Sequence, residues 1–546
     1  MVRSMTVTSR LYTVLLKAGP AVTRDVSVRP DVVVRAPDGT GLLTDVYLAS
    51  PGLPLPVILM RSPYGRRVLG IIARLFAERG YHAVIQSTRG TFGSGGRLDF
   101  DAEAADGRAA ADWIIRQPWS DGTIGTFGAS YLGFTQFALA STRPPQLKAM
   151  AIAVWGADRR THYQGGAFAL DRALGWNLTI ENQERPLAFV RTPLRARKVL
   201  TPAFGHLPLL DADTVAFGHP VGLYRDLITH DKPGDPYWAP TDFRPILPDL
   251  GVPVTMTAGW YDTFLPGMLA DYQELRHGGQ DVRLRIGAWH HTSRGLAHQS
   301  VADAFDWFGT HLLGRPPSAG QPGPRVEVMG GGGWRNLAEW PPPDAAVQRW
   351  HLQPGGLLGT GAPAESTPDR YTYDPADPTP AVGGTSTMNC GPRDNRALEQ
   401  RPDVLTYTSE PLTSPLVVTG NVSAELFVSS SRPHTDFFAR LCDVDPGGKS
   451  VNITDGILRL TGATETPQPI TIDLWPTAHQ FRPGHRIRLQ VSSGAHPRYA
   501  RNPGGDEPLA TASTLHAAQQ AVHHGPAHPS AVLLPAVLPP AVTPAG

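Results

Sequence analysis

Short continuous apolar runs punctuate the first part of the chain: residues 57–60 (VILM), 81–86 (YHAVIQ), 124–127 (IGTF) and 150–155 (MAIAVW). Runs without polar alternation, bounded by turn signals, predict strands buried on both faces, as in a parallel sheet. Between them, residues 71–79, 103–117 and 131–140 carry helical spacing. In the second of these, Ala105, Ala109, Trp113 and Ile114 fall broadly on one face. Ahead of them, residues 25–48 read as two or three antiparallel strands turning at Asp38-Gly39. Alternating strands and helices predict a mostly parallel sheet with helices on both faces.

The pattern then changes. Residues 156–249 show no strand alternation; 167–178 and 187–200 read as helices broken by prolines. This predicts a helical insertion over the C-terminal ends of the strands, where open α/β sheets bind ligands. The sheet resumes at 252–258 and 282–286, and 301–313 (VADAFDWFGTHLL) predicts a closing amphipathic helix. Residues 315–325 (RPPSAGQPGPR) are a linker by composition. Beyond them helices nearly vanish. Strands are expected at 325–329, 416–420, 423–428, 437–444, 470–474 and 486–491, separated by turns such as Asp445-Pro446-Gly447-Gly448. Short strands with Gly/Pro turns favour a β-sandwich or jelly roll. Residues 534–546 form a proline-rich tail expected to be poorly ordered, and no internal repeat is visible.

The stretch 123–140 organises the rest. A strand, a sharp turn on Ser130 and a helix form a nucleophile elbow, the mark of an α/β-hydrolase core. Gly128 precedes the serine by two residues and Gly133 follows it by three; the usual G-x-S-x-G places its second glycine where Leu132 stands. The alternative is a serine that merely caps the helix. A serine hydroxyl needs a base to take its proton and a carboxylate to orient that base, in the chain order Ser, Asp or Glu, His. Asp262 and either His290 or His291 follow two later candidate strands, and both histidines stay open on spacing alone. The oxyanion needs two donors. One is expected from the backbone N–H of Tyr131. The second has no HGGG-type loop to come from; the Tyr64 hydroxyl stands in that place, unless Tyr64 only packs at a pocket rim.

The fold expected is therefore an α/β-hydrolase core with an inserted helical cap and an all-β C-terminal jelly-roll domain. Its map is core 1–155, cap 156–249, core 250–320 and β domain 325–546. With 546 residues the chain has room for several domain-sized units. A formal net charge of +1 provides no global field toward nucleic acid or an anionic membrane. Gly 57 and Pro 54 beside a hydrophobic fraction of 41% fit a loop-rich globular enzyme rather than a disordered chain. The two cysteines, Cys390 and Cys442, make no disulfide framework and read as inert thiols. His523-His524 reads as a pair of loop residues, so neither metal nor cofactor is expected. No apolar run approaches the roughly 18 to 20 residues of a membrane span. Residues 11–16 are too short for a secretory signal and end at Lys17, so a cytoplasmic location is the default expectation.

Several motifs together resemble the serine hydrolase family of cocaine esterase, X-prolyl dipeptidyl peptidases and α-amino-acid ester hydrolases. They are Arg61-Ser62-Pro63-Tyr64, Thr88-Arg89-Gly90, Gln117-Pro118-Trp119, Gly128-Ala129-Ser130-Tyr131-Leu132-Gly133, Gly259-Trp260-Tyr261-Asp262 and Gly287-Ala288-Trp289-His290-His291. Trp334-Arg335, Trp340-Pro341, Asp443-Val444-Asp445-Pro446-Gly447 and Asn452-Ile453-Thr454-Asp455-Gly456 extend the likeness to roughly residues 28–535. The resemblance implies a G-x-S-Y-x-G elbow, selects His291, and gives Tyr64 an oxyanion role. The first reading is a carboxylic-ester hydrolase acting through a Ser130 acyl-enzyme, with the cap and Phe264 helping to form an apolar acyl pocket and Phe264, Trp155 and Trp176 as candidate substrate-pocket residues. The alternative is an X-prolyl dipeptidyl peptidase or α-amino-acid ester hydrolase, which must recognise a substrate ammonium. The cap's Glu181, Glu184 and Asp171 are the carboxylates on offer, and they read as a solvated helix face. A carbohydrate-binding β domain beside an inert core is disfavoured by the complete Ser, Asp, His and Tyr set. A small-molecule ester or amide is the expected partner. The oligomeric state is open, a homodimer being one arrangement. Two departures from the family pattern, Ser87 where an Asp is common and Ala500 where a carboxylate is common, bear on structural ion pairs rather than on the triad.

Overall fold

The computed structural model describes residues 2–16, 18–49, 53–317 and 323–537. The chain divides into two units, Met1–Arg159 with Pro236–Pro324, and Arg160–Asp235 with Arg325–Gly546. The first begins with helix α1 (Val2–Leu15) and strands β1 (Ser27–Arg35), β2 (Gly41–Leu48) and β3 (Leu55–Ser62). It continues through α2 (Gly70–Ala77), β4 (His82–Ser87), α3 (Glu103–Ile115), β5 (Ser120–Ala129), α4 (Tyr131–Ser141) and β6 (Leu147–Ala153). The second unit's insertion supplies β7 (Tyr163–Gln164), β8 (Ala167–Phe168), α5 (Leu170–Asn182), α6 (Ala188–Gly205), α7 (Ala212–Phe217) and α8 (Gly222–Thr229). The first unit resumes with β9 (Val254–Tyr261), α9 (Leu265–His277), β10 (Val282–His290) and α10 (Arg294–Leu313).

Strand order in the first unit is β1-β2-β4-β3-β5-β6-β9-β10. β1 and β2 are antiparallel, as are β2 and β4; all pairs from β4 through β10 are parallel. The apolar runs lack alternation because both faces are covered. On β3, Ile58 and Met60 join the layer under α2 and α10, with Phe76 and Phe308, while Val57 and Leu59 join the layer under α3, with Ala110, Ala111 and Ile114. α10 begins at Arg294, seven residues before the expected helix, and Ser293 leads into it in an extended conformation.

The expected face of α3 holds only in part: Ile114 is buried and Trp113 packs, partly buried, against the same layer. Its buried residues are Glu103, Asp106, Gly107, Ala110, Ala111 and Ile114, whereas Ala105 is exposed. The acidic residues turn inward because Arg61 and Arg89 meet them there. Arg61 Nη1 lies 2.5 Å from Glu103 Oε2, and Arg89 grips Asp106 through bonds of 3.0 and 2.7 Å.

In the second unit, residues 167–168 are not helical. β7 and β8 form a hairpin, and its Gly165 (φ +51°) approaches the strand Ser450–Thr461 so closely that a Cβ would lie 1.7 Å from Ile457 O. α6 runs through Pro193 and Pro202 rather than breaking at them. Asp171 of α5 is not on a solvated face. It is 1% exposed, and its Oδ2 accepts from Ser386 Oγ (2.7 Å) and Thr387 N (2.9 Å). The remainder is all-β, its strands paired antiparallel except Leu357–Gly359, which runs parallel to Leu405–Ser409. His523 ends the strand Ala518–His523 and is not in a loop; His524 is buried, with Nε2 2.8 Å from Asp369 Oδ2. Residues 534–537 of the expected tail lie in the strand Ala531–Val537, and 538–546 lie outside the described residues. Part of the expected linker, 318–322, also lies outside them. Both cysteines are free, and burial pushes the Cys442 thiol up to about 12. Among the described residues no helix is long and apolar enough to cross a membrane.

Candidate active site

β5 ends at Ala129 and α4 starts at Tyr131, leaving Ser130 alone to turn the chain. Its φ of 58° and ψ of −126° lie where a non-glycine residue is strained. The turn is held by Ser130 N donating to Ala153 O (3.0 Å), and by Ser130 O accepting from Gly133 N (2.6 Å) and Phe134 N (3.2 Å). The two glycines follow from contact. A Cβ at Gly128 would lie 2.3 Å from Leu132 Cβ, and one at Gly133 would lie 2.6 Å from Trp155 Cβ, where α4 crosses the end of β6. The crossing falls at 133 and not at 132, so Leu132 is tolerated.

Asp262 follows β9 and His291 follows β10, neighbouring parallel strands whose ends lie together. His291 Nδ1 is 2.7 Å from Asp262 Oδ2, and Asp262 Oδ1 accepts from Phe264 N (2.8 Å). Asp262 is fully buried, and His291 is 35% exposed at its side chain. An ionised carboxylate only accepts, so Nδ1 carries a proton, and in the neutral ring Nε2 then presents its lone pair. His290 turns elsewhere: its N donates to Ser293 Oγ (2.8 Å), and its ring Nδ1 lies 3.3 Å from Thr292 Oγ1. A register shift in β10 falls between Gly287 and His290, and His290 pairs with Tyr261, which leaves His291 just beyond the paired strands. The Trp289 ring folds onto Gly287, where a Cβ would meet it at 2.6 Å.

Phe264 stacks beside the histidine at 5.6 Å between ring centroids, and Trp155 backs Phe264 at 4.5 Å. The Trp155 indole Nε1 is buried without a hydrogen-bond partner among the described residues. Trp176 sits half-buried on α5, in the other unit. Tyr64 follows β3, half-buried, its ring against the layer under α2 and α10; its N donates to Ser62 Oγ (3.1 Å). The Tyr131 phenol points into the core and donates to Glu103 Oε1 (2.8 Å). Glu103 escaped sequence reading because its partners Tyr131 and Arg61 are distant in the chain, and a glutamate opening a helix ordinarily reads as a complement to the helix dipole.

Behind Trp155, Asp271 of α9 is 2% exposed and accepts from Ala157 N (2.6 Å). Burial raises its carboxyl from 3.8 to about 7. The folded state therefore holds a proton that the unfolded chain releases, so this group's stabilisation is present at acid pH and is lost as pH rises from about 4 through about 7. Asp271→Asn mimics the protonated form. Its thermal midpoint relative to the parent is expected to rise across that interval and level off above it; a difference independent of pH would contradict the assignment.

A sequence model described as X-Pro dipeptidyl-peptidase (S15 family) matches residues 38–293, and one for the X-Pro dipeptidyl-peptidase C-terminal non-catalytic domain matches residues 319–533. The chain is 34% identical to cocaine esterase of Rhodococcus sp. (strain MB1 Bresler), over 94% of this chain and 99% of that one. It belongs to the cocaine esterase and X-Pro dipeptidyl-peptidase family of serine hydrolases. Two solved structures share the fold at 23% identity. An aminopeptidase from a marine sediment archaeon, Thaumarchaeota archaeon, has a TM-score of 0.80 over 94% of this chain and 97% of its own. An α-amino acid ester hydrolase has a TM-score of 0.78 over 95% and 98%. The two departures from the family pattern have structural outcomes. Ser87 Oγ takes a bond from Arg66 Nη1 (2.8 Å), while Asp45 neutralises that guanidinium (2.8 Å). Ala500 is buried, and its carbonyl accepts from Arg459 Nη2 (2.8 Å), whose charge is met by Asp436 (2.8 Å).

Proposed function

We propose that this serine hydrolase cleaves carboxylic esters through an acyl-enzyme on Ser130. The observation that carries the reading is the His291–Asp262 bond, 2.7 Å from Nδ1 to a fully buried carboxylate, in the same unit as a serine on a strained elbow. Ser130 Oγ attacks the ester carbonyl carbon and its proton passes to His291 Nε2. Asp262 balances the imidazolium, and the oxyanion is received by the Tyr131 N–H and the Tyr64 hydroxyl. As the tetrahedral adduct collapses, Nε2–H protonates the departing alkoxide. Water then repeats the sequence on the acyl-enzyme, releasing acid and restoring Ser130.

A substrate without an ammonium is favoured by the carboxylates. Recognition of a substrate ammonium calls for uncommitted acidic groups. Asp171 is engaged by Ser386 and Thr387, and Glu181 lies 3.1 Å from His219 Nε2. The aromatic pair Trp155 and Phe264 beside His291 suits an apolar or aryl acyl group. The relative that is 34% identical over nearly its whole length is named for an ester substrate, which agrees. The test is a profile of p-nitrophenyl acetate and benzoate against glycyl-prolyl p-nitroanilide. Turnover of the aryl esters at rates well above the anilide is expected; cleavage of the anilide alone would make the dipeptidyl peptidase reading the correct one.

A further inference from the structure

A strained elbow persists only where its surroundings over-determine it. Next to Ser130, one buried carboxylate holds the side chain of Tyr131. Glu103, 0% exposed at its side chain, receives the Tyr131 phenol on Oε1 (2.8 Å) and Arg61 Nη1 on Oε2 (2.5 Å). Arg61 is 2% exposed and is further fixed by Nε donating to Gln86 Oε1 (2.8 Å) and Nη1 to the Glu103 carbonyl (3.0 Å). Tyr131 is the residue whose backbone N–H follows the nucleophile, its ring packed by Phe100 at 5.1 Å and Phe134 at 5.6 Å. Arg61 lies in β3, three residues before Tyr64, and its carbonyl accepts from Thr135 Oγ1 of α4 (3.4 Å). The same carboxylate thus ties the segment that delivers a tyrosine hydroxyl to the segment that delivers a backbone N–H.

We propose that Glu103 is a positioning residue for the oxyanion hole: it sets the Tyr131 N–H and the Tyr64 hydroxyl relative to each other through Tyr131 Oη on one side and Arg61 on the other. The proposal rests on the Ser130 reading above. Its physical content is geometric, because donors stabilise an oxyanion only if they are aimed before charge develops. A displacement near 1 Å costs up to about 10² in rate. Glu103 touches no reacting atom, so its loss acts on transition-state binding and not on ground-state affinity.

The test uses Tyr131→Phe in the full chain, which removes one buried hydroxyl and leaves the Arg61–Glu103 pair and the backbone N–H of residue 131. On p-nitrophenyl acetate kcat is expected to fall about tenfold, with KM changed by less than about twofold. The inhibition constant of phenylboronic acid, whose serine adduct places an oxygen in the oxyanion site, is expected to weaken in step with kcat, while the thermal midpoint falls because the buried Glu103 Oε1 loses this donor. Glu103→Gln is the second variant and should show a larger drop of the same kind. It strips Arg61 of its close charge partner; if it fails to fold, Tyr131→Phe decides alone. Unchanged kcat in Tyr131→Phe, or a fall in kcat with the boronate constant unmoved, would overturn the proposal. If Tyr64→Phe lowers kcat and Tyr131→Phe does not, only this inference fails. If the parent enzyme is not acylated at Ser130, the underlying reading fails and this one with it.

Discussion

Ser130→Ala is expected to reduce ester turnover by a factor on the order of 10⁶, the scale on which removal of the nucleophile acts in serine hydrolases. The reason is local. Residue 130 stands alone at the strained turn between β5 and α4, the elbow segment Gly128–Gly133 holds no second serine, and the Tyr131 hydroxyl is committed to Glu103. The pre-steady-state burst of p-nitrophenol should vanish along with fluorophosphonate labelling of the peptide containing residue 130. A variant that turns over within tenfold of the parent would remove Ser130 from the mechanism. Backbone strain adds an independent readout. At φ 58° and ψ −126° an alanine remains strained while a glycine does not. Ser130→Gly should therefore have a higher thermal midpoint than Ser130→Ala while being equally inactive, as expected where function is bought with local stability.

The parallel sheet was readable because a strand covered on both faces must be apolar throughout, and 57–60 and 150–155 are. The pairing of Asp262 with His291 was readable because neighbouring parallel strands bring their C-terminal ends to one edge. What resisted was wherever polarity points inward. Glu103 and Asp106 put much of the buried face of α3 on the side that hydrophobic spacing assigns to solvent, because Arg61 of β3 and Arg89 from the turn after β4 meet them. Asp171 looked solvated for the same reason, its hydroxyl and amide donors lying more than two hundred residues away. Several strands of the second unit, such as Ser450–Thr461 and Ala518–His523, escaped notice because polar residues such as Asn452, Asp455 and Gln520 are buried on them, satisfied by partners that local alternation does not reveal.

Asp262→Asn tests the other half of the site. Its expected outcome is a loss of about 10⁴ in kcat with KM little changed. Phe264 N–H donates to Oδ1 at 2.8 Å, so the only acceptor oxygen of an asparagine is claimed there, and its Nδ2 amino group turns toward His291 Nδ1. A donor facing Nδ1 forces that nitrogen to present its lone pair, which puts the ring proton on Nε2. The imidazole is then neutral and well placed, yet it offers Ser130 a donor where a base is required. Because the Phe264 bond survives, the loop and the Trp155–Phe264–His291 stack should persist, and the folded state with them. Nitrogen-15 spectra of the His291 ring distinguish the two tautomers directly: the parent should carry its proton on Nδ1 and the variant on Nε2. Fluorophosphonate labelling of Ser130 should slow in parallel with kcat. An Asp262→Asn enzyme retaining more than about a tenth of the parent rate would mean that His291 does not draw its orientation from this carboxylate.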